Sequence, residues 1–315
     1  MKLQVVVLNF RTAPMTLEAV ASAHRAIARI PSARIDVVDN DSGDDSLEVL
    51  RRGVLDAGYD PERVRVLASP VNGGFGAGNN VAIRDAMASA DPPDFVYILN
   101  SDAFPEDDAI DVLLAFLEAH PEAGLAGSAI HGTDGVPHET AFRFPSVWSE
   151  IESGLALGVV SKLLAQKKVP IVPMPSETRR VDWLAGASVM IRKKVLEDIG
   201  LFDETFFLYF EETDLCRRAH LAGWPTYYVV ESKVAHVGSA STGMKKWKRI
   251  PGYWLDSRAH YFRKNHGEAY LAATNVAFAL TNATFRLRRR LQGKPDPHPP
   301  RFYRDFVKYS FTNKP

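Results

Sequence analysis

Several things are scarce in this sequence, and each shortage excludes something. Cysteine occurs once in 315 residues, at Cys216, so no disulfide can close within the chain and no thiolate metal cluster can be built. Net charge is absent, because 38 Lys and Arg balance 38 Asp and Glu. That excludes a nucleic-acid binder working by bulk electrostatics, and no nucleic-acid partner is expected. No apolar run approaches the roughly 18 residues of a transmembrane helix. The opening MKLQVVVLNF has a single Lys and an apolar stretch too short for a signal peptide. Internal repeats and low-complexity tracts are also missing. What remains is 46% hydrophobic and 24% charged, ordinary for a globular chain large enough to bury a core without staples. The expectation is a cytoplasmic protein, either one large α/β domain with additions or two domains.

The first 130 residues alternate between two patterns. LQVVVL (3–8), ARIDVVD (33–39), RVRVLA (63–68) and DFVYILN (94–100) are near-continuous β-branched runs, the mark of strands covered on both faces. Helical stretches over about 14–29, 44–57, 77–90 and 105–119 separate them, with Pro14 and Pro105 suited to first turns. The repeat predicts βαβ units on a parallel sheet, whose ligands bind at the carboxyl ends of the strands. The unusual residues fall at those ends: Asn9 and Arg11, Asp39 to Ser42, Asn72 to Asn80, and Asn100-Ser101-Asp102. Residues 145–180 read as a helical insertion with a loop. Residues 181–224 read as strand, short helix, aromatic loop and a helix starting near Thr213, and 225–237 as two short strands. Helical patterns dominate from 250, ending in an arginine run and a proline-rich tail.

Four constellations carry chemistry. NGGFGAGNN (72–80) has glycines that allow close backbone approach and a helix start suited to phosphate. Its spacing is neither the dinucleotide nor the P-loop fingerprint, and a glycine-rich turn would explain it equally. Asn79-Asn80 at a helix start is poor helix propensity and points toward a site. In YILNSDAF (97–104), Asp102 follows an apolar strand and suits a divalent cation completed by diphosphate oxygens and water, although a turn aspartate before Pro105 accounts for it as well. FEETDLCRR (210–218) crowds Glu211, Glu212 and Asp214 at a helix start, where the macrodipole alone would favour acids. The flanking FFLYF (206–210) would desolvate a carboxylate and tune it toward a general base. His236, in VAHVGSAS (234–241), is a structural residue unless the fold carries it to Asp102.

Taken in order, VVVLNF, VVDNDS, NGGFGAGNN, YILNSDAF, the 183–224 segment, HVGSAS and SRAHYFRKNHG resemble glycosyltransferase family 2, over roughly residues 1–267. The bacterial rhamnosyltransferase-like branch is the nearest in pattern. The resemblance implies a GT-A fold: a Rossmann-like, mostly parallel central sheet flanked by helices, here with a helical C-terminal extension. The expected organisation is a nucleotide-sugar half (1–130) and an acceptor and catalytic half (131–249) of one domain, followed by the extension (250–315). It also implies metal-dependent, inverting transfer of a sugar from a nucleoside-diphosphate sugar, with thymidine diphosphate rhamnose favoured by branch. The acceptor would be a saccharide or lipid-linked saccharide of surface polysaccharide synthesis, and the cofactor Mg²⁺ or Mn²⁺.

Carried over by position, Asp39 with Asn40 reads the nucleotide base, and Asn9 and Arg11 line base and ribose. Asn72, Gly74, Phe75, Asn79 and Asn80 pack the nucleoside and diphosphate. Asn100-Ser101-Asp102 stands where the family has Asp-X-Asp, with Asn in place of the first Asp, so Asp102 is the metal ligand and Asn100 a sugar or ribose contact. Trp183 and Gly186 belong to the acceptor strand. Glu212 falls at the catalytic base, one methylene longer than the family's usual Asp, with Glu211, Asp214 and Arg258 in support. His236 is the second metal ligand. A sugar nucleotidyltransferase and a nucleotide-sugar-binding module without transfer are the competing classes, and self-association is left open. In the C-terminal YLAATNVAFALTNATFRLRRRLQGK (270–294), Leu271, Val276, Ala279, Leu280 and Ala283 recur at helical spacing. Arg286, Arg288, Arg289, Arg290 and Lys294 follow. Two readings stand: a helix packing on the domain, or peripheral contact with anionic lipid at the inner face of the cytoplasmic membrane.

Overall fold

Val5, Val6 and Val7 are all shut off from solvent, which is why the first strand needs no polar alternation: helices cover both of its faces. In the computed structural model, which describes residues 2–238 and 247–312, β1 (Leu3–Asn9), β2 (Ala33–Asp39), β3 (Val64–Ala68) and β4 (Phe95–Asn100) run parallel in the order β3-β2-β1-β4. Helices α1 (Ala13–Ala26), α2 (Ser46–Asp56) and α4 (Ala109–Ala119) cover one face. On the other lie α3 (Gly74–Met87), α7 (Lys193–Ile199) and α8 (Glu211–Leu221). Pro14 sits in the first turn of α1 as expected. Pro105 does not open a helix: it ends a short strand, β5 (Ala103–Pro105), and α4 begins at Ala109.

β10 (Ser188–Arg192), β6 (Leu125–His131) and β11 (Thr226–His236) complete the same sheet, in the order β4-β10-β6-β11-β5, with β10 antiparallel to both β4 and β6. A strand from beyond residue 131 thus lies between two from before it, so the two halves share one core. The expected pair of strands over 225–237 is a single strand, β11 (Thr226–His236), whose register slips between Val229 and Lys233. That bulge is the break seen in the sequence. β6 went unforeseen because LAGSAIH has few β-branched residues. It is held instead by a buried hydroxyl chain: Tyr97 Oη to Ser188 Oγ (2.8 Å), Ser188 to Ser128 (2.6 Å) and Ser128 to Ser232 (2.7 Å). A small sheet pairs β7 (Ala141–Phe142) with β9 (Trp183–Leu184), and β8 (Arg179–Val181) adds to β11.

The C-terminal extension is helical, as expected. α5 (Val147–Leu155), α9 (Gly252–His266), α10 (Glu268–Leu291) and α11 (Phe302–Thr312) pack together, and α11 gives helical structure to the end of the proline-rich tail. Arg258 lies in this layer, buried, donating to Glu150 and to Asn275 Oδ1 and resting on the rings of Phe262 and Phe306. It ties α5, α9 and α10 together rather than reaching out toward an acceptor.

The hydroxyl chain provides a direct test. Ser188→Ala strands the buried phenol of Tyr97 and should lower unfolding stability by about 1–3 kcal/mol, read as a shift in the urea midpoint at unchanged slope. An unchanged midpoint would show that the chain adds nothing.

Candidate active site

β1, β2 and β4 end side by side, and each end carries a polar group. Asp39 is buried, its Oδ1 taking hydrogen bonds from Asn9 Nδ2 (2.8 Å) and Ser42 Oγ (2.6 Å). Asn9 Oδ1 accepts in turn from Thr16 Oγ1 (2.7 Å). With both ends of its amide engaged and no exposure, Asn9 orients Asp39 instead of lining a ligand, which corrects its expected role. Arg11 adopts a left-handed backbone (φ 56°) and donates from Nε to the Ser42 carbonyl, with its side chain exposed beside Asp39.

The glycine-asparagine motif starts its helix earlier than expected. α3 begins at Gly74, so Asn79 and Asn80 fall in the second turn. Asn80 gives both amide ends to the 202–204 segment, accepting from Phe202 N–H and donating to the Phe202 carbonyl and Glu204. That removes it from a ligand's reach, a second correction. Asn79 Nδ2 donates to the Phe75 carbonyl, while its buried Oδ1 has no partner among the described residues. Asn40 Nδ2 bridges Asn72 Oδ1 and the Gly74 carbonyl (3.0 and 3.1 Å). Gly74 itself is required: its φ is 90°, and a Cβ there would stand 1.7 Å from the Phe207 carbonyl oxygen. The neighbouring Phe75 N–H donates to that same oxygen (3.0 Å).

The β4 end leads to Asn100, half-buried, whose N–H is tied to the Ala187 carbonyl, and to Ser101, which accepts from Thr12 Oγ1. Beside them the pairing of β11 with β5 sets His236 opposite Ala103. The result is His236 Nε2 3.0 Å from Asp102 Oδ1, so the fold does bring the two expected metal ligands together. Residues 239–241 of the same motif lie outside those described. Among the described residues no third acid or thiol completes a metal cluster. An oxygen and an imidazole nitrogen with the remaining positions left to water and phosphate oxygens is a donor set that fits a hard divalent cation. His138, which sequence reasoning missed, has its ring 6.1 Å from that of His236. Its signal was a second histidine, with His131, flanking a Gly-Thr-Asp-Gly turn after an apolar run.

The acids stand at the start of α8, two residues earlier than Thr213. Tyr209 and Phe210 both take φ 70°, and this left-handed pair turns the chain sharply into the helix. Glu211 is buried against Gly76 and Phe202, and burial together with the adjoining Glu212 carboxylate pushes its pKa well up. Glu212 faces the other way. The backbone N–H of Gly186 reaches its carboxylate, yet burial dominates and lifts it to about 7. Its Oε2 has no partner among the described residues. Gly186 also lies against Phe75, where a Cβ would meet the ring at 3.1 Å. Phe75, Gly186 and Glu212 thus form one cluster from three distant parts of the sequence. Asp214, by contrast, is fully buried and paired with Arg218 (2.8 Å), Lys264 (2.8 Å) and Asn265 (3.0 Å). Trp183 stacks on Phe142 at 4.1 Å and donates to the Arg143 carbonyl, closing the small sheet behind Gly186.

The model of the glycosyltransferase-like family 2 matches residues 2–250. The chain belongs to glycosyltransferase family 2. Among curated relatives, the N-acetylglucosaminyl-diphospho-decaprenol L-rhamnosyltransferase of Mycobacterium tuberculosis is 32% identical over 194 residues, 57% of this chain and 61% of that protein. Rhamnosyltransferase WbbL of Escherichia coli is 28% identical over 165 residues, 52% of this chain and 60% of that protein. The matches therefore span about three-fifths of these relatives. Among solved structures, the fold is shared with the mannosyltransferase PcManGT of Pyrobaculum calidifontis in complex with GDP-Man and Mn²⁺, at TM-score 0.61 and 15% identity over 95% of this chain and 76% of that one. It is shared also with GalNAc-T7 bound to UDP, GalNAc and Mn²⁺, at TM-score 0.56 and 13% identity over 98% of this chain and 56% of that one. The GT-A fold expected of a family 2 member is the fold observed.

The raised Glu212 couples stability to pH. The folded chain keeps a proton that the unfolded chain releases near the ordinary value of 4.5. Stability is therefore greatest below that pH and declines as pH rises toward about 7. Urea midpoints at about pH 5 and about pH 8 should differ in the wild type in that direction, and the difference should shrink in Glu212→Gln. Equal pH dependence in both proteins would mean that Glu212 is not held protonated.

Proposed function

We propose that this family 2 member transfers a sugar, with inversion, from a nucleoside-diphosphate sugar to a saccharide acceptor, and that Glu212 is the base. The observation that carries the reading is the position of Glu212: desolvated and packed beside Gly186, which also lies against Phe75 of the glycine-asparagine motif. The nucleoside diphosphate lies along the strand ends, with its base toward Asp39 and Arg11 and its phosphates toward Asn100 to Asp102. Asp102 and His236 would hold a divalent cation, Mg²⁺ or Mn²⁺, which would supply positive charge for the departing diphosphate. Glu212 accepts the acceptor hydroxyl proton as that oxygen bonds to the anomeric carbon. The bond to the diphosphate oxygen breaks on the opposite face, so the anomeric configuration inverts. A carboxylate poised near neutrality suits this task. In the aromatic loop before α8, Phe207 and Tyr209 each contact the ring of Tyr253, and a sugar ring can stack on such a group.

The names of the curated relatives support a 6-deoxyhexose donor, thymidine diphosphate rhamnose first, and an acceptor sugar on a lipid diphosphate. An acceptor of that kind places the reaction at the inner face of a membrane. The test is acceptor-dependent release of nucleoside diphosphate from a panel of nucleotide sugars, with Mg²⁺, Mn²⁺ or chelator. Glu212→Gln should keep donor binding and lose about 10²–10⁴-fold in transfer, and wild-type rate should rise with pH through about 7. Asp102→Ala should lose the metal-dependent part of donor binding. Loss of transfer in Glu211→Gln but not in Glu212→Gln would move the base to Glu211. Donor binding without turnover on any acceptor would instead assign a binding module, and formation of a nucleotide sugar from a nucleoside triphosphate a nucleotidyltransferase.

A further inference from the structure

α10 has two faces of different character. Its back, with Leu271, Phe278, Ala279, Asn282 and Phe285, is buried on the neighbouring helices. Its front carries Val276, Leu280, Ala283, Leu287 and Leu291, spaced four, three, four and four residues apart, which is one line along an α-helix. Leu280, Leu287 and Leu291 are 66%, 60% and 80% exposed. The line runs for roughly 22 Å at the rise of an α-helix. From Tyr270 to Phe285 the helix contains no charged residue. An outward helix face facing water would normally carry Lys, Glu or Arg at such positions.

The arginines that follow do not all face outward. Arg286 pairs with Asp296, Arg288 donates to the carbonyls of Leu155 and Ala156 at the end of α5, and Arg289 donates to the Pro295 carbonyl. Arg290 and Lys294 remain exposed at the end of the apolar line. The Arg288 contacts lie just ahead of α6 (Gly158–Leu163). That helix buries none of its residues and exposes Val159, Leu163 and Lys162. Residues 281–315 carry nine Lys and Arg against two Asp, a concentration of positive charge in a chain that is neutral overall. No helix among the described residues is long and apolar enough to cross a membrane.

We propose that the front of α10, extended by α6, lies in the plane of an anionic bilayer, with the leucine line among the acyl chains and Arg290, Lys294 and Lys162 at the headgroups. An apolar face bordered by cations is the composition of an in-plane interfacial helix. The same charges argue against a second copy, since each basic end would bring its own repulsion to a pairing of like faces. This surface gives physical form to the membrane setting in the functional reading. It is tested without donor or acceptor, so failure of either leaves the other standing.

The experiment is sedimentation of the full chain with vesicles of equal parts phosphatidylcholine and phosphatidylglycerol, against vesicles of phosphatidylcholine alone. The wild type should bind the anionic vesicles and bind them less as salt rises. Leu280→Glu with Leu287→Glu should lower partition at least about tenfold, since each change puts a charge where an exposed apolar chain would enter the bilayer. Arg290→Gln and Lys294→Gln should each lower it about fivefold, while Arg288→Gln acts by loosening the α5–α10 contact and should lower the thermal midpoint. Thermal melts of the leucine variant, whose altered positions face outward, should match the wild type. The milder Leu280→Gln with Leu287→Gln pair repeats the measurement should the glutamates disturb the fold. Equal partition of wild type and leucine variants would overturn the proposal. So would a dimer in the absence of vesicles that the leucine variants dissolve.

Discussion

The backbone contact between Phe207 and the Gly74–Phe75 segment holds the active-site region together. One carbonyl oxygen receives the Phe75 N–H, and it can approach only because residue 74 has no side chain. Through that contact the aromatic loop before α8 is pressed onto the start of α3. Asn80 seals the same seam by taking both hydrogen-bonding groups of Phe202. The acids at the head of α8 then have no freedom of placement. Glu211 is directed into the seam and Glu212 toward Gly186, and the difference between two adjacent, chemically identical side chains comes from which wall each one meets.

Much of the fold was legible because parallel strands buried on both faces advertise themselves as unbroken β-branched runs. β1 to β4 and the helices between them follow that rule. The exceptions share a cause. β6 is built mostly from small residues with one serine, and β5 is three residues closed by a proline; neither is apolar enough to stand out, and both take their place by pairing with β11, β6 with β10 as well. The sequence of β11 has the pattern of two strands because its bulge breaks the alternation.

The site was legible as a set of positions and less so as a set of roles. Asn9 and Asn80 drew attention for being polar where the sheet meets solvent, yet each spends its amide on other parts of the protein. Sequence cannot tell a polar residue that holds a ligand from one that holds the residue that does. Arg258 is the same case at a distance: a buried cation balanced by Glu150 and two rings, binding helices to one another. His138 went unnoticed because its value lies in its proximity to His236, almost a hundred residues away.

The serine and tyrosine hydroxyls between β4, β10, β6 and β11 have one further property. Ser232 donates its proton to the Ala109 carbonyl, so it can only accept from Ser128. Ser128 must then accept from Ser188, and Ser188 from Tyr97. Four protons point the same way in single file, and the end of the file is anchored to a helix start. A slide of any one strand by a single residue would turn its hydroxyl to the opposite face and break the file in the middle. These four oxygens act as a vernier: they admit one alignment of β4, β10, β6 and β11, and the strand ends that carry Asp102 and His236 inherit it.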